Sequence, residues 1–436
     1  MRKLNGKKIL FLFAYFMYIL IPWMKRFFVA VGNDSDAMSD AWIPTSPFLC
    51  VVSVIVAMSM KKKNIFRNKG VTIFFAGLMA WLLWGYFADF TGLSLYRTAS
   101  SFYTLRMLLI YFVTLFMSFK IIVAYDLEKE LLQLTLLGLA IPLVSAYIAN
   151  FDNFAFLGHL GSIFSKDGRY RYGFGLQHVN QVGMLIYFFL SFFTMYHFLI
   201  MEKDPENLKK DKFHLIFLFM IIPIAVMMLL STASRGSITS LMMLWLVYFF
   251  LGFMGKTKTY TRIMFYIIAI FAALNIILSV NWEYVIYSSG RALNYTSLRV
   301  MLDKRAWLTG LGFISGGDLF NVIKLPYLDN YYLNVYLNSG LIGFTLFMTT
   351  IIAFTHAYFQ NVRGMTKLQR IKGGFLASFL YLAIFETVMF GGGHNTNLLA
   401  WLVILIEMNK RDSSPKLAHR LSYSSKALIR PAERIM

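Results

Sequence analysis

The sequence predicts an all-α, polytopic transmembrane helical bundle of about twelve spans, and three observations predict it. Of 436 residues, 58% are hydrophobic and 14% charged, and the mean hydropathy is +0.60, far more apolar surface than one soluble core needs. Apolar runs of about twenty residues recur from end to end, each long enough to cross roughly 30 Å of hydrocarbon at 1.5 Å per residue. In lipid such runs must be helical, because an unpaired backbone amide there costs several kcal/mol. Lys and Arg, finally, are distributed unequally between alternate connections.

In chain order the runs place spans near 9–24, 41–60, 71–90, 105–125, 130–149, 180–200, 214–232, 236–254, 262–282, 331–359, 373–390 and 396–409. The stretch 214–254 reads as a helical hairpin, because Ser231-Thr232-Ala233-Ser234-Arg235-Gly236-Ser237 puts a charge and small turn formers between two apolar halves. Arg2, Lys3, Lys7 and Lys8 precede the first span, and Lys25, Arg26, Asp34, Asp36 and Asp40 follow it, so the start is expected in the cytoplasm. Alternating sides from there assigns 29 of the 42 Lys and Arg to cytoplasmic segments, with both termini inside a bacterial-type cytoplasmic membrane. The whole chain, 1–436, then reads as a single integral membrane domain with a basic cytoplasmic tail, 410–436.

The net charge of +21 does not point to nucleic acid. Most of it lies in short cytoplasmic loops such as Lys61-Lys62-Lys63 and in the tail, where membrane orientation and contact with anionic lipid account for it. Cys50 is the only cysteine, so an internal disulfide and a cysteine metal site are excluded. No cleavable signal and no repeat of 20–50 residues is visible. The outer loops carry no metal-ligand spacing, and the glycines at 310–317 lack the Gly-Lys-Ser/Thr of a phosphate loop.

Two long polar inserts interrupt the pattern, both expected on the outer side. The first, 150–179, carries Arg169 and Arg171 and leads through Gly173, Gly175 and His178 to Asn180. The second and largest, 283–330, carries Arg291, Arg299, Lys304, Arg305 and Lys324, a Gly310-Leu311-Gly312-Phe313 turn, and Asp329-Asn330 at its end. Outer arginines run against the orientation bias. Arg169, Arg171, Arg235, Arg291 and Arg299 can converge on an anionic ligand, since the guanidinium offers two parallel charge-assisted hydrogen bonds to phosphate. Each can instead pair with an outer acid or reach lipid headgroups. Arg235 is the most informative, for it has no acid near it in sequence, and Ser234 and Gly236 leave room for a large headgroup.

A proton acceptor would complete a transfer site. Asp329 stands immediately before the tenth span, where it serves either as a base or as a helix N-cap, as does Asn330 beside it. His178 and His394, the latter in Gly391-Gly392-Gly393-His394-Asn395, face outward and serve either as bases or in structural hydrogen bonds. Glu386 ends an apolar run, where an acid faces protein or a watery cavity.

Four of these stretches, in this order and on one side, resemble a known pattern: the arginine-glycine-histidine loop 169–180, the Ser-Arg-Gly hairpin, the Gly310-x-Gly312-Phe313 loop, and Asp329-Asn330-Tyr331-Tyr332-Leu333-Asn334 running on to Phe344. Residues 165–400 together resemble the O-antigen ligase and Wzy-type O-antigen polymerase superfamily. The resemblance implies a metal-independent glycosyltransferase of the GT-C type, without cofactor, that uses undecaprenyl-diphosphate-linked sugars at the outer membrane face. It implies that Arg171 and Arg235, with Arg291 or Arg299, hold the diphosphate. It also implies a flippase and a chain-length regulator as partners. Where the ligase branch commonly has histidine before the asparagine, this chain has Asp329, which favours the polymerase branch. A ligase and a lipid-linked oligosaccharide flippase are the rival readings.

Overall fold

The computed structural model describes residues 6–28, 45–59, 68–95, 99–149, 172–174, 179–256, 301, 304, 306–313, 330–360, 362–386, 389–390 and 396–411. Among them it is helical, with no strand. The helices are α1 (Gly6–Phe28), α2 (Thr45–Ser59), α3 (Lys69–Phe90), α4 (Ala99–Tyr125), α5 (Glu128–Ala149), α6 (Val179–Lys203), α7 (Lys212–Thr232), α8 (Arg235–Lys256), α9 (Tyr331–Phe359), α10 (Lys367–Leu382) and α11 (Thr396–Arg411).

Seven of these are long and apolar enough to cross a membrane: α3 to α9, with α4 counted from Ser101. The other spans expected from the sequence are not among these seven. α2 contributes only a shorter apolar stretch, Pro47–Ala57, and α10 and α11 have 16 residues each, about 24 Å of helix against a 30 Å hydrocarbon layer. The expected span 373–390 ends at Leu382, because the chain turns through Ala383, Ile384 and Phe385 instead of continuing as helix. The expected span 262–282 lies outside the described residues.

Local chemistry sets the helix ends. Asn68 caps α3 by accepting from the Gly70 amide at 2.6 Å, and Asp211 caps α7 by accepting from His214 at 3.2 Å. Thr366 and Gln369 form a reciprocal capping box at the start of α10. α7 contains a π-helical turn, Phe217–Ile221, and stops at Ala233, whose φ of 46° is left-handed.

Packing is closest where side chains are smallest. On α3, Gly70 and Gly77 lie against Ala357 and Thr350 of the antiparallel α9. Gly374 of α10 lies against the Leu244 carbonyl of α8. Small residues let backbones approach where lipid supplies no hydrophobic drive between helices. Burial is uneven: 83% of the apolar stretch of α6 is buried, against 28% for α7 and 22% for α8. α6 is therefore the central post, and the α7–α8 hairpin turns most of its surface outward.

At one end of the bundle four charges interlock. Lys372 of α10, fully buried, donates to Glu128 of α5 and, at 2.6 Å, to Glu407 of α11. Lys410 reaches the second oxygen of Glu128 at 2.5 Å, and the Gln369 amide donates to Glu407 at 3.0 Å. Every buried oxygen of the two carboxylates thus has a donor, and three helices are tied together.

α9 is broken. Gly340 has φ 63° and ψ −170°, outside the helical region, and the break folds 331–339 back along 341–359. Tyr331 and Phe347 would stand about 24 Å apart in a straight helix; their rings are 6.0 Å apart. The segment 307–312 fills the break. Leu311 and Gly312 amides donate to the Leu337 and Asn338 carbonyls at 2.7 and 3.1 Å, while Leu341 and Ile342 donate to Trp307 and Leu308 at 2.9 and 3.3 Å. Gly310 and Gly340 cross so closely that a Cβ on either would strike the other strand's carbonyl. Backbone groups freed by a broken membrane helix must find partners in protein, and this inserted segment supplies them.

Candidate functional site

The end of the bundle opposite Lys372 gathers the segments that the sequence singled out. A run of contacts links them. The Tyr172 amide, just after Arg171 in the chain, donates to the Ser231 carbonyl of the α7–α8 hairpin at 3.1 Å. The Phe174 ring is buried and packs edge-on to Tyr172 at 4.8 Å. A Cβ added at Gly183 of α6 would lie 2.5 Å from Ser234 Cβ, and one at Gly236 would lie 3.2 Å from Phe385 Cβ, in the turn after α10. That turn in turn receives α9: the Tyr331 amide donates to the Ala383 carbonyl at 2.9 Å, and the Tyr332 hydroxyl donates to Leu380 at 2.9 Å.

The N-termini of α6, α8 and α9 therefore meet at one end, each with its positive dipole end. α11 also begins on this side, within the bundle. Tyr111, about 18 Å along α4 at 1.5 Å per residue, donates its hydroxyl to Asn397 at 3.1 Å. Phe390 reaches the same depth and stacks on Trp401 at 4.9 Å. Among the described residues this end thus joins three helix starts with aromatic rings that lie deeper in the bundle.

Arg235 is the first residue of α8 and is exposed, rather than standing at the tip of the turn as the sequence suggests. Ala233 makes the turn, stabilised by Thr232 Oγ1 accepting from the Ser234 amide at 3.3 Å and by a 3.1 Å bond between the Ser234 and Ser237 hydroxyls. Among the described residues the Arg235 guanidinium has no hydrogen-bond or ion-pair partner; its carbonyl accepts from Thr239 at 2.7 Å. A fixed cation at a helix N-terminus, beside two buried serines and a glycine, is suited to a phosphate-type anion.

Asn330 caps α9, its Oδ1 accepting from the Leu333 amide at 3.0 Å. Glu386 follows the Phe385 turn at the same end, partly exposed. Asp329, Arg169, Arg171, Arg291, Arg299, His178 and His394 lie outside the described residues. Among the described residues no group of His, Cys, Asp and Glu is placed to hold a metal ion.

Two features were missed in the sequence. Asp89, wholly buried at the end of α3, accepts from the Ser94 hydroxyl at 2.5 Å and from Ser101, tying α3 to α4. Its signal in the sequence is an acid inside an apolar run. The second is the Gly310–Gly340 crossing, signalled by Asn338-Ser339-Gly340 within an apolar run. The chain matches no known protein family and no curated protein.

Proposed function

We propose that this chain is a membrane glycosyltransferase that polymerises undecaprenyl-diphosphate-linked oligosaccharide repeat units at the outer face of a bacterial cytoplasmic membrane. What supports the reading is the convergence of the Tyr172 segment, the Arg235 hairpin, the Asn330–Tyr331 helix start and the Phe385 turn at one end of the bundle. Only a folded arrangement brings together stretches so far apart in sequence, and the first three of them belong to the stretches that carry the resemblance.

In the proposed reaction the growing glycan leaves its lipid diphosphate. An acceptor hydroxyl on the incoming unit attacks the anomeric carbon, the bond from that carbon to the phosphate oxygen breaks, and the hydroxyl proton passes to a base. Arg235, with Arg169, Arg171, Arg291 and Arg299, is assigned to the diphosphate, whose charge grows as it departs. Such preorganised cations act as an oxyanion hole does. Asp329 is assigned as the base, with His178 and His394 as the alternatives. The GT-C-type fold, the inside position of both termini and partnership with a flippase and a chain-length regulator belong to the same proposal.

The deciding experiment is to identify the lipid-linked products that accumulate in cells lacking the protein. Single repeat units on the outer face are the expected result. Long polymer left on undecaprenyl makes the protein a ligase, and single units retained on the inner face make it a flippase.

A further inference from the structure

We propose that the end of the bundle opposite Arg235 holds a binding site for one class of lipid, a glycerophospholipid with a primary-ammonium zwitterionic headgroup such as phosphatidylethanolamine. The site is the pocket between α4, α5 and α11 lined by Ile122, Val123, Asp126, Glu128, Ile406, Asn409 and Lys410. It is independent of the proposed transferase reading.

Asp126 carries the argument. It forms the turn between α4 and α5 with φ 50°, a left-handed conformation that only a few residue types tolerate, and the turn holds its carboxylate at the pocket mouth, 69% exposed. Two ammonium groups flank it, Lys203 at 3.9 Å and Lys410 at 4.0 Å, both past hydrogen-bond reach. Lys410 instead bonds Glu128 at 2.5 Å. Asp126 thus presents acceptor oxygens with cations beside them but no described donor on them. Behind this rim the wall is apolar, made by Ile122, Val123 and Ile406. The site lies where helices of membrane-spanning length end, and so at headgroup depth.

A lipid that fits must offer an N–H donor to Asp126 and an anion to Lys203 and Lys410, a few ångströms apart, with an apolar body beneath. An ethanolamine headgroup has this arrangement of charge. A choline headgroup has the same charges but no N–H to donate. A glycerol headgroup offers Asp126 only neutral hydroxyl donors, which bind a carboxylate more weakly than an ammonium does, and has no cation of its own to set against that carboxylate.

The test uses the full chain in detergent, stripped of lipid and incubated with equal amounts of phosphatidylethanolamine, phosphatidylcholine and phosphatidylglycerol of the same acyl chains. Lipid retained per protein is read by native mass spectrometry. One charge-assisted hydrogen bond corresponds to about fivefold or more in retention of the ethanolamine lipid over each of the others. Asp126→Asn, which keeps a residue at ease with positive φ, is expected to remove that preference without changing the melting temperature. Lys203→Gln is expected to weaken ethanolamine and choline lipids alike. Equal retention of all three lipids by the native protein overturns the proposal. So does an ethanolamine preference that survives Asp126→Asn.

Discussion

Lys372 and Arg235 are two cations that this apolar bundle treats oppositely. Lys372 is enclosed, with Glu128 and Glu407 against it and Gln369 and Lys410 satisfying the remaining oxygens. Arg235 stands exposed at the start of α8, with no described side chain neutralising it. The surroundings differ in the same sense. α10 packs against several helices, whereas α8 buries only 22% of its apolar stretch. A closed ion cluster ties elements together and has no capacity left for a ligand. An open cation at a helix start contributes little to folding and keeps its hydrogen bonds for something that arrives.

The comparison breaks most visibly at Lys372. Lys372→Ala would leave Glu128 and Glu407 buried without their shared partner, and removing one member of a buried ion pair destabilises by about 3–5 kcal/mol. The expected outcome is loss of folded protein from the membrane, measured by its level and by its melting temperature in detergent. Replacing Lys372 with Met together with Glu128→Gln and Glu407→Gln should recover much of that loss, since no unpaired charge remains. A stable Lys372→Ala protein would mean that water reaches the cluster.

Arg235→Ala should do the reverse. Protein level and melting temperature stay near native, while polymer formation falls by about 10²–10³-fold, the effect of removing one preorganised donor. Arg235→Lys is not expected to restore it, because a point charge lacks the two-pronged geometry. On the same reading Asp329→Asn blocks polymer at normal protein level. Full activity of Arg235→Ala in a polymer assay would remove the central ligand of the proposed site.

The helices were legible in the sequence because their cause is local: apolar length, caps such as Asn68, and the turn at Ser231–Ser237. Depth was not legible. Hydropathy reports how long an apolar run is, not where in the bundle its helix begins or ends, so the stop of α10 at Leu382 and the deep start of α11 are not visible in it. The break at Gly340 was missed for a related reason. Its missing hydrogen bonds are supplied by residues 307–312, and no feature of 331–359 alone announces that partner. The ion cluster was missed because Glu128, Lys372 and Glu407 each sit near the end of an apolar run. There each reads as an ordinary interfacial charge, until folding puts them in contact. Of the proposed site, Arg235 is legible as the charge at the α7–α8 turn, while the capping bond of Asn330 depends on backbone geometry that its residue type alone does not give.

Gly340→Ala should have an intermediate effect. It forces a Cβ into a conformation that costs about 1–3 kcal/mol for other residues, and into the Leu308 carbonyl. The melting temperature should drop, and activity with it, because the inserted segment and 331–339 move together. Gly364→Ala, where an added Cβ meets open space, serves as the neutral control. Equal melting temperatures for the two variants would argue against the crossing.

The smallest effect is expected at Asn330, and it separates a cap from a catalyst. Asn330 Oδ1 satisfies the Leu333 amide at the first turn of α9. Truncation to alanine removes that acceptor and costs about 1 kcal/mol, so Asn330→Ala should lower the melting temperature slightly. Aspartate caps equally well, and its charge suits a helix N-terminus. Asn330→Asp should therefore melt like the native protein and keep most of its activity. A catalytic asparagine would behave differently: the aspartate variant would be as inactive as the alanine variant although its cap, and its melting temperature, were intact. That pattern would move Asn330 from scaffold to chemistry and weaken the assignment of Asp329 as base.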